Sequence, residues 1–318
     1  MPASSSNSLS RRARRSPAVL TRRVLLSSAG LAGLAIPAIA APTKQRPGGG
    51  KPAAKPAPTP PEPTSPAQTP VGPVDTAARW AVIIDFNTGA TLLDKDADVR
   101  MPPSSMTKLM TAYIVYAMLK AGRLKLDQML PVSERAWRMG GSKMFVQVGS
   151  QVKVEDLIRG MIVQSGNDAC LVLAEAIAGS EEQFVELMNQ KAKELGLTNS
   201  HFENCTGWPA DNHYMSARDI ATLARDIIRD FPEDYKYDSE RSFTYGNAAD
   251  GRAITQQNRN PLVQKGLADG LKTGHTEAGG YGLCASAERN GRRVVVVLNG
   301  MSTMHQRSEE GERLLEWA

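Results

Sequence analysis

The chain has 318 residues, 41% of them hydrophobic, which is ample material for a large core in one domain or two. Its formal charge of +5 points towards a nucleic-acid partner only until Arg11, Arg12, Arg14, Arg15, Arg22 and Arg23 are set aside; they fall in the first 40 residues, which hold no acid, and the remainder carries a net charge near −1. Three widely separated cysteines (Cys170, Cys205, Cys284) make no disulfide framework, and they and the four histidines show no metal-ligand spacing, so neither metal nor cofactor is expected.

Residues 1–40 read as an export signal: the arginines, an apolar stretch from Val24 to Ile36, and Ala38-Ile39-Ala40 as a small-residue cleavage site. The apolar stretch is short for a bilayer span, and the alanine triplet favours cleavage over an uncleaved anchor. Thr21-Arg22-Arg23-Val24-Leu25-Leu26 resembles a twin-arginine motif, and the general secretory route fits equally. Residues 41–77 form a proline-rich linker, with eleven of the chain's twenty prolines between 42 and 75. A folded domain is expected over 78–318. It opens on a hairpin, Ala81–Phe86 and Ala90–Leu93 around the Asn87-Thr88-Gly89 turn.

Pro103-Ser104-Ser105-Met106-Thr107-Lys108 then starts an apolar helix that runs to about Gly122. Ser105 and Lys108, three apart, share a helix face. With Ser104 as N-cap, Ser105 falls in the first turn, where unpaired N–H groups favour negative charge. A lysine buried on that helix loses its charge readily and can take a proton from the serine.

Between about 120 and 230 the three-four spacing predicts helices over Val154–Ile162, Ala169–Ala176, Phe184–Leu195 and Ser216–Pro232. Gly140 to Gly149 reads as a mobile loop, and Glu233 to Glu240 as surface. Ser165-Gly166-Asn167 sits in a break between two helices, where a turn can expose a hydroxyl and an amide. Strands return at Gly270–Thr273, Tyr281–Ala287 and Arg293–Leu298, the last two joined by Asn290-Gly291, and a helix over Glu309–Trp317 closes the chain. Lys272-Thr273-Gly274 ends the first of these strands, its glycine allowing a ligand backbone to come close. The pattern is an α+β fold: one antiparallel sheet built from both chain ends, packed against a helical insertion.

The order Ser-x-x-Lys, Ser-x-Asn, Lys-Thr-Gly resembles the active-site set of penicillin-recognising serine acyltransferases, of the β-lactamase and penicillin-binding transpeptidase-like fold. The longer strings from Pro103 to Thr111, Gln164 to Cys170, Gln256 to Asn260 and Asp269 to Thr276 are similar to those of low-molecular-mass D-alanyl-D-alanine carboxypeptidases. That resemblance implies Ser105 as nucleophile, Lys108 as base, Ser165 and Asn167 on the opposite wall, and Lys272 and Thr273 facing a substrate carboxylate. It also implies Gly274 and His275 as substrate-binding, with the Ser105 and His275 N–H groups as oxyanion hole, and Arg259 near Lys272 or in a structural ion pair. The implied partners are peptidoglycan stem peptides ending in D-Ala-D-Ala and β-lactams as covalent inhibitors, in the bacterial periplasm, with membrane association left open. Many such enzymes carry a further β-rich domain and an amphipathic membrane helix; the sequence stops at Glu316-Trp317-Ala318, so either it is a fragment or the enzyme lacks them. The alternatives are a murein endopeptidase, a β-lactamase, for which no corresponding glutamate loop is seen, and a non-enzymatic peptidoglycan-binding scaffold.

Overall fold

The computed structural model describes residues 66–248 and 250–318; the expected export signal, and the linker as far as residue 65, lie outside the described residues. Strands β1 (Trp80–Asp85) and β2 (Thr91–Lys95) form the first hairpin, and a 3-10 turn over Ser104–Thr107 leads into helix α1 (Lys108–Lys120). The middle of the chain supplies β3 (Met129–Pro131), α2 (Glu134–Arg138), β4 (Gln151–Lys153), α3 (Val154–Val163), α4 (Asn167–Ala178), α5 (Glu181–Glu194) and α6 (Ala217–Asp230). After β5 (Ser242–Asn247), β6 (Ala253–Gln257) and α7 (Pro261–Lys265) come β7 (Gly270–Thr276), β8 (Gly280–Arg289), β9 (Arg292–Met301) and α8 (Met304–Trp317).

The main sheet has the order β2-β1-β9-β8-β7, antiparallel throughout, so both chain ends build it, as the sequence pattern implies. Side chains alternate along its strands. Ala81, Ile83, Val294, Val296 and Leu298 pack with Leu314 and Leu315 of α8, while Val82, Ile84, Val295 and Val297 face the helical core with Ile220, Leu223 and Ala224 of α6. Covered on both faces, β9 reads as an unbroken valine run rather than an alternating one. Asn290 and Gly291 turn β8 into β9 with φ of 53° and 77°, as a two-residue hairpin requires. Helix α6 starts where Ser216 accepts the Asp219 N–H at 3.1 Å, and α1 stops two residues short of Gly122, whose φ is 67°.

Four expectations are corrected. The linker's last stretch is built into the domain: Ala67 and Gln68 pair with Val74 and Asp94, and Thr76 donates to Glu310 at 2.6 Å, because residues between prolines still carry ladder donors. Ser104 is not an N-cap. Its φ is 51° and its hydroxyl bonds Thr276 Oγ1 at 2.8 Å, tying the 3-10 turn to β7. Lys272-Thr273-Gly274 lies inside β7, which runs on to Thr276. The stretch Glu233–Glu240 buries Tyr235, Tyr237 and Asp238, with the Tyr235 hydroxyl donating to Asp269 at 2.7 Å. A hairpin of β5 and β6, absent from the sequence expectations, stands beside the site; Thr244 and Thr255 face each other across it.

Candidate functional site

Three segments distant in sequence meet at the 3-10 turn, and two glycines set how closely. A Cβ on Gly274 would stand 2.9 Å from Pro103 O, 3.0 Å from Ser104 Cβ and 3.3 Å from the Ser105 nitrogen. The close approach that Gly274 permits is therefore that of the nucleophile's own turn, where the sequence pattern implies a ligand. A Cβ on Gly207, whose φ is 85°, would lie 1.8 Å from Ser104 O. Only glycine fits there on both counts.

Lys108 is fully buried, and its Nζ lies 3.0 Å from Ser105 Oγ, 2.7 Å from Asn167 Oδ1 and 2.6 Å from Thr206 O. The two carbonyl oxygens can take only N–H donors. A neutral amine that satisfies both turns its lone pair to the Ser105 hydroxyl, the arrangement a base needs. Burial pushes the Lys108 amine below the ordinary lysine value, and the Arg259 charge works in the same direction. Across the cleft, Lys272 Nζ donates to Ser165 Oγ at 2.8 Å and to Thr273 O at 3.3 Å. Burial first, then the charges of Lys108 and Arg259, push Lys272 well below its usual value. Two buried amines so placed resist carrying charge together, which favours a free base at one of them.

The wall opposite Ser105 is rigidly held. Ser165 has a φ of 61°, an uncommon state for a side chain with a Cβ. Asn167, first in α4, gives its backbone N–H to Ser142 O at 2.7 Å and its Nδ2 to Gly140 O at 2.8 Å. The next residue, Asp168, is wholly buried and accepts the N–H groups of Met144, Phe145 and Val146 at 2.9, 2.9 and 3.2 Å. The Gly140–Gly149 loop, expected to be mobile, is thus fastened to α4 over its first half.

Thr273, Gly274, His275 and Arg259 line the same cavity of about 570 Å³ as Ser105 and Ser165. All nine residues singled out in the sequence are in it or, for Lys108, Asn167 and Lys272, directly hydrogen-bonded at its wall. The His275 ring stacks on Tyr281 with centroids 3.9 Å apart, and burial, followed by the Arg307 charge, lowers its pKa. Arg259 has no carboxylate within salt-bridge distance among the described residues, so the ion-pair alternative fails. A larger groove of about 730 Å³, along Leu119–Asp127 and Asp230–Asp234, holds no serine and no buried lysine. No cluster of His, Cys, Asp or Glu suited to a metal ion occurs among the described residues, and none of their helices is long and apolar enough to cross a membrane.

Sequence reasoning does not find Asn204 and Thr206. Asn204 Oδ1 accepts the N–H groups of Thr206, Gly207 and Trp208 at 3.2, 2.8 and 2.9 Å, fixing the carbonyl that binds Lys108. The signal was present as Asn204-Cys205-Thr206-Gly207, an Asx-turn string. His213, which precedes Tyr214-Met215-Ser216 and reads from the sequence as a loop contact rather than a catalyst, makes two such contacts. Its Nδ1 accepts the Glu203 N–H at 3.1 Å, so its Nε2 carries the hydrogen and donates to Thr107 Oγ1 at 2.8 Å. Burial, with His201 and Lys108 adding to it, pushes its pKa down to about 4. Between that value and 6.5 the unfolded chain binds a proton that the native state refuses, so stability falls as pH drops through this window. The loss attributable to His213 is on the order of 3 kcal/mol. A ring-proton NMR titration is expected to place its midpoint near 4; an ordinary histidine midpoint would sink the prediction.

A family model described as D-alanyl-D-alanine carboxypeptidase, peptidase family S11, matches residues 65–303. The chain is 42% identical over 258 residues to D-alanyl-D-alanine carboxypeptidase DacC of Escherichia coli, covering 79% of this chain and 63% of that one. It therefore spans less than two thirds of that relative's length. Among solved structures, penicillin binding protein 5 from Haemophilus influenzae matches with a TM-score of 0.73 and 42% identity, covering 77% of this chain and 71% of that one. The D-alanyl-D-alanine carboxypeptidase DacD from Francisella tularensis matches with a TM-score of 0.74 and 36% identity, over 77% and 70% of the two chains.

Proposed function

The chain belongs to the D-alanyl-D-alanine carboxypeptidase family, and on that premise we propose that it removes the terminal D-alanine from peptidoglycan stem peptides through an acyl-enzyme on Ser105, and that β-lactams acylate the same serine. The observation that carries this reading is the hydrogen-bonded unit of Ser105, Lys108 and Asn167 facing the Ser165–Lys272 pair.

In the proposed reaction Ser105 Oγ bonds to the carbonyl carbon of the penultimate D-alanine while its proton passes to the Lys108 lone pair. The oxyanion that forms is met by the N–H groups of Ser105 and His275. When it collapses, the C–N bond breaks and the leaving amine takes a proton, relayed from the Lys108 ammonium and the Ser165 hydroxyl. D-alanine departs and an ester remains. Water, deprotonated by Lys108, attacks that ester, and the proton returns to Ser105 as the shortened peptide leaves. One water is consumed for one peptide bond. Lys272, Thr273 and Arg259 would hold the terminal carboxylate, for which a buried amine, a hydroxyl and a guanidinium with no carboxylate partner among the described residues are suited donors.

We place this activity outside the cytoplasmic membrane, in the periplasm. The basic, apolar and small-residue order of residues 1–40 supports export, as does a substrate found in the cell wall.

Brief exposure to benzylpenicillin is expected to give one lasting adduct, mapped to Ser105, and the protein is expected to release D-alanine from a D-Ala-D-Ala peptide but not from its L,L isomer. Rapid drug hydrolysis without an adduct would turn the assignment to a β-lactamase, and neither adduct nor hydrolysis from folded protein would turn it to a scaffold.

A further inference from the structure

Of the two buried amines, the proposed reaction needs Lys272 charged and Lys108 free, yet burial lowers both. A buried acid stands on the side of Lys272. Asp238, in the 3-10 turn Tyr235–Ser239, is 1% exposed and has no part in the chemistry at Ser105. Its Oδ2 lies 3.5 Å from the donating Tyr116 hydroxyl, and its buried Oδ1 has no partner. The turn is pressed onto the start of β7: Tyr235 donates to Asp269 at 2.7 Å, and a Cβ on Gly270 would stand 2.4 Å from the Tyr235 hydroxyl oxygen. Lys272 follows in the same strand, opposite Cys284 of β8. The negative charge of Asp238 reaches that pair, since the Cys284 thiol is pushed up by burial and then by Asp238.

The other ions around the turn have their own partners. Asp269 pairs with Arg293 at 2.7 Å, Arg159 pairs with Glu240 at 2.8 Å and Glu155 at 3.4 Å, and Lys236 is exposed over the Tyr237 ring. Asp234, half-buried before the turn, adds only negative charge, and burial pushes the Tyr116, Tyr235 and Tyr237 phenols up, which keeps them neutral. Burial raises the Asp238 carboxyl well above the usual range, and the strongest pull back comes from Lys272. The two are not a salt bridge: among the described residues no carboxylate lies within 4.0 Å of the Lys272 amine. Charges in the interior are little screened, so contact is not required.

We propose that Asp238 is a positioning residue for the site's charge, a buried counter-ion that keeps Lys272 the ammonium and so leaves Lys108 the free base. The inference rests on the carboxylate-holding role of Lys272 in the proposed reaction and deepens it.

The test is the pH profile of the second-order acylation constant for benzylpenicillin, and of kcat/KM on a D-Ala-D-Ala peptide, for wild type, Asp238→Asn and Tyr116→Phe. Both constants report the free enzyme: the limbs belong to the coupled amines, the ascending one chiefly to Lys108 and the descending one chiefly to Lys272. At saturation the bound carboxylate itself holds Lys272 charged, so the descending limb is confined to the second-order constants. Asparagine keeps the shape of the acid without its charge. Lys272 should then shed its proton earlier, moving the descending limb down by about one pH unit or more and the ascending limb by less. Tyr116→Phe removes the donor that helps to keep the carboxylate ionised. It should displace the same limb in the same direction by a smaller amount, and it carries the test alone if Asp238→Asn does not fold. Descending limbs that superpose on the wild type's in folded variants would overturn the proposal. So would a rate lowered equally at every pH, the mark of loosened packing. A wild type that is acylated by benzylpenicillin but releases no D-alanine would overturn the carboxypeptidase reading, and the acylation profiles would still decide the role of Asp238.

Discussion

Lys108→Ala is expected to slow acylation of Ser105 by benzylpenicillin about 10³- to 10⁴-fold, at the upper end of what a positioned base contributes. The side chain touches the nucleophile at 3.0 Å and is held by two carbonyl acceptors that cannot rotate away, one on α4 and one in the turn fixed by Asn204. No other amine reaches Ser105 Oγ among the described residues: Lys272 is engaged by Ser165. The fold should survive, because Lys→Ala also removes a buried amine whose charge the interior disfavours, and Lys108→Met, which fills the same space, should show the same kinetic loss with less cavity. Stopped-flow acylation and thermal melts check both parts. Since only the neutral amine accepts the proton, the wild-type rate should rise with pH and level off below the ordinary lysine value of 10.5, as burial lowers the Lys108 pKa. That limb should vanish in both variants. A folded variant that acylates at the wild-type rate would remove Lys108 as the base.

Gly207→Ala should be nearly as damaging, although residue 207 does no chemistry. Its Cβ would stand 1.8 Å from Ser104 O and 2.9 Å from Thr107 Oγ1, atoms of the turn that carries Ser105. Either the turn or the 204–208 loop must move, and the Thr206 carbonyl that fixes Lys108 moves with the loop. We expect acylation to fall about 100-fold from misplacement alone and stability by about 1–3 kcal/mol. Gly122→Ala is the control. Its φ of 67° imposes similar backbone strain, but nothing lies within 4 Å of the new Cβ, so it should cost about 1 kcal/mol and leave the rate unchanged. Equal rates in the two variants would show that strain, not the clash, is what matters.

These two residues mark how much was legible in the sequence. Ser105, Lys108, Ser165, Asn167 and Lys272 were readable because each sits in a short motif whose spacing encodes a local geometry, and the sheet strands were readable from β-branched runs and the Asn290-Gly291 turn. Gly207 and Thr206 were not, since what they touch lies about a hundred residues away and a backbone carbonyl leaves no mark on residue identity. Ser104 misled for a related reason: a serine before a helix is a cap by default, and only the partner strand reveals that its hydroxyl belongs to Thr276. Arg307 fell outside the closing helix expected over Glu309–Trp317, which the structure begins at Met304. Asp238 looked like surface because charged neighbours mask it, whereas Tyr235 and Tyr237 just before it carry it inward.

The place of β9 in the sheet sets a timetable for the molecule's making. β1 needs β9 as its second neighbour, yet roughly two hundred residues separate them. At synthesis rates of about 5–20 residues per second, the first hairpin waits some 10–40 s with one flank open before its partner exists. β7, which tethers the Ser105 turn through Gly274 and Thr276, also arrives late and is placed in the sheet only by β8 and β9. No nascent chain that has yet to reach β9 holds the nucleophile in register, so the Ser105 site forms all at once, when the sheet closes.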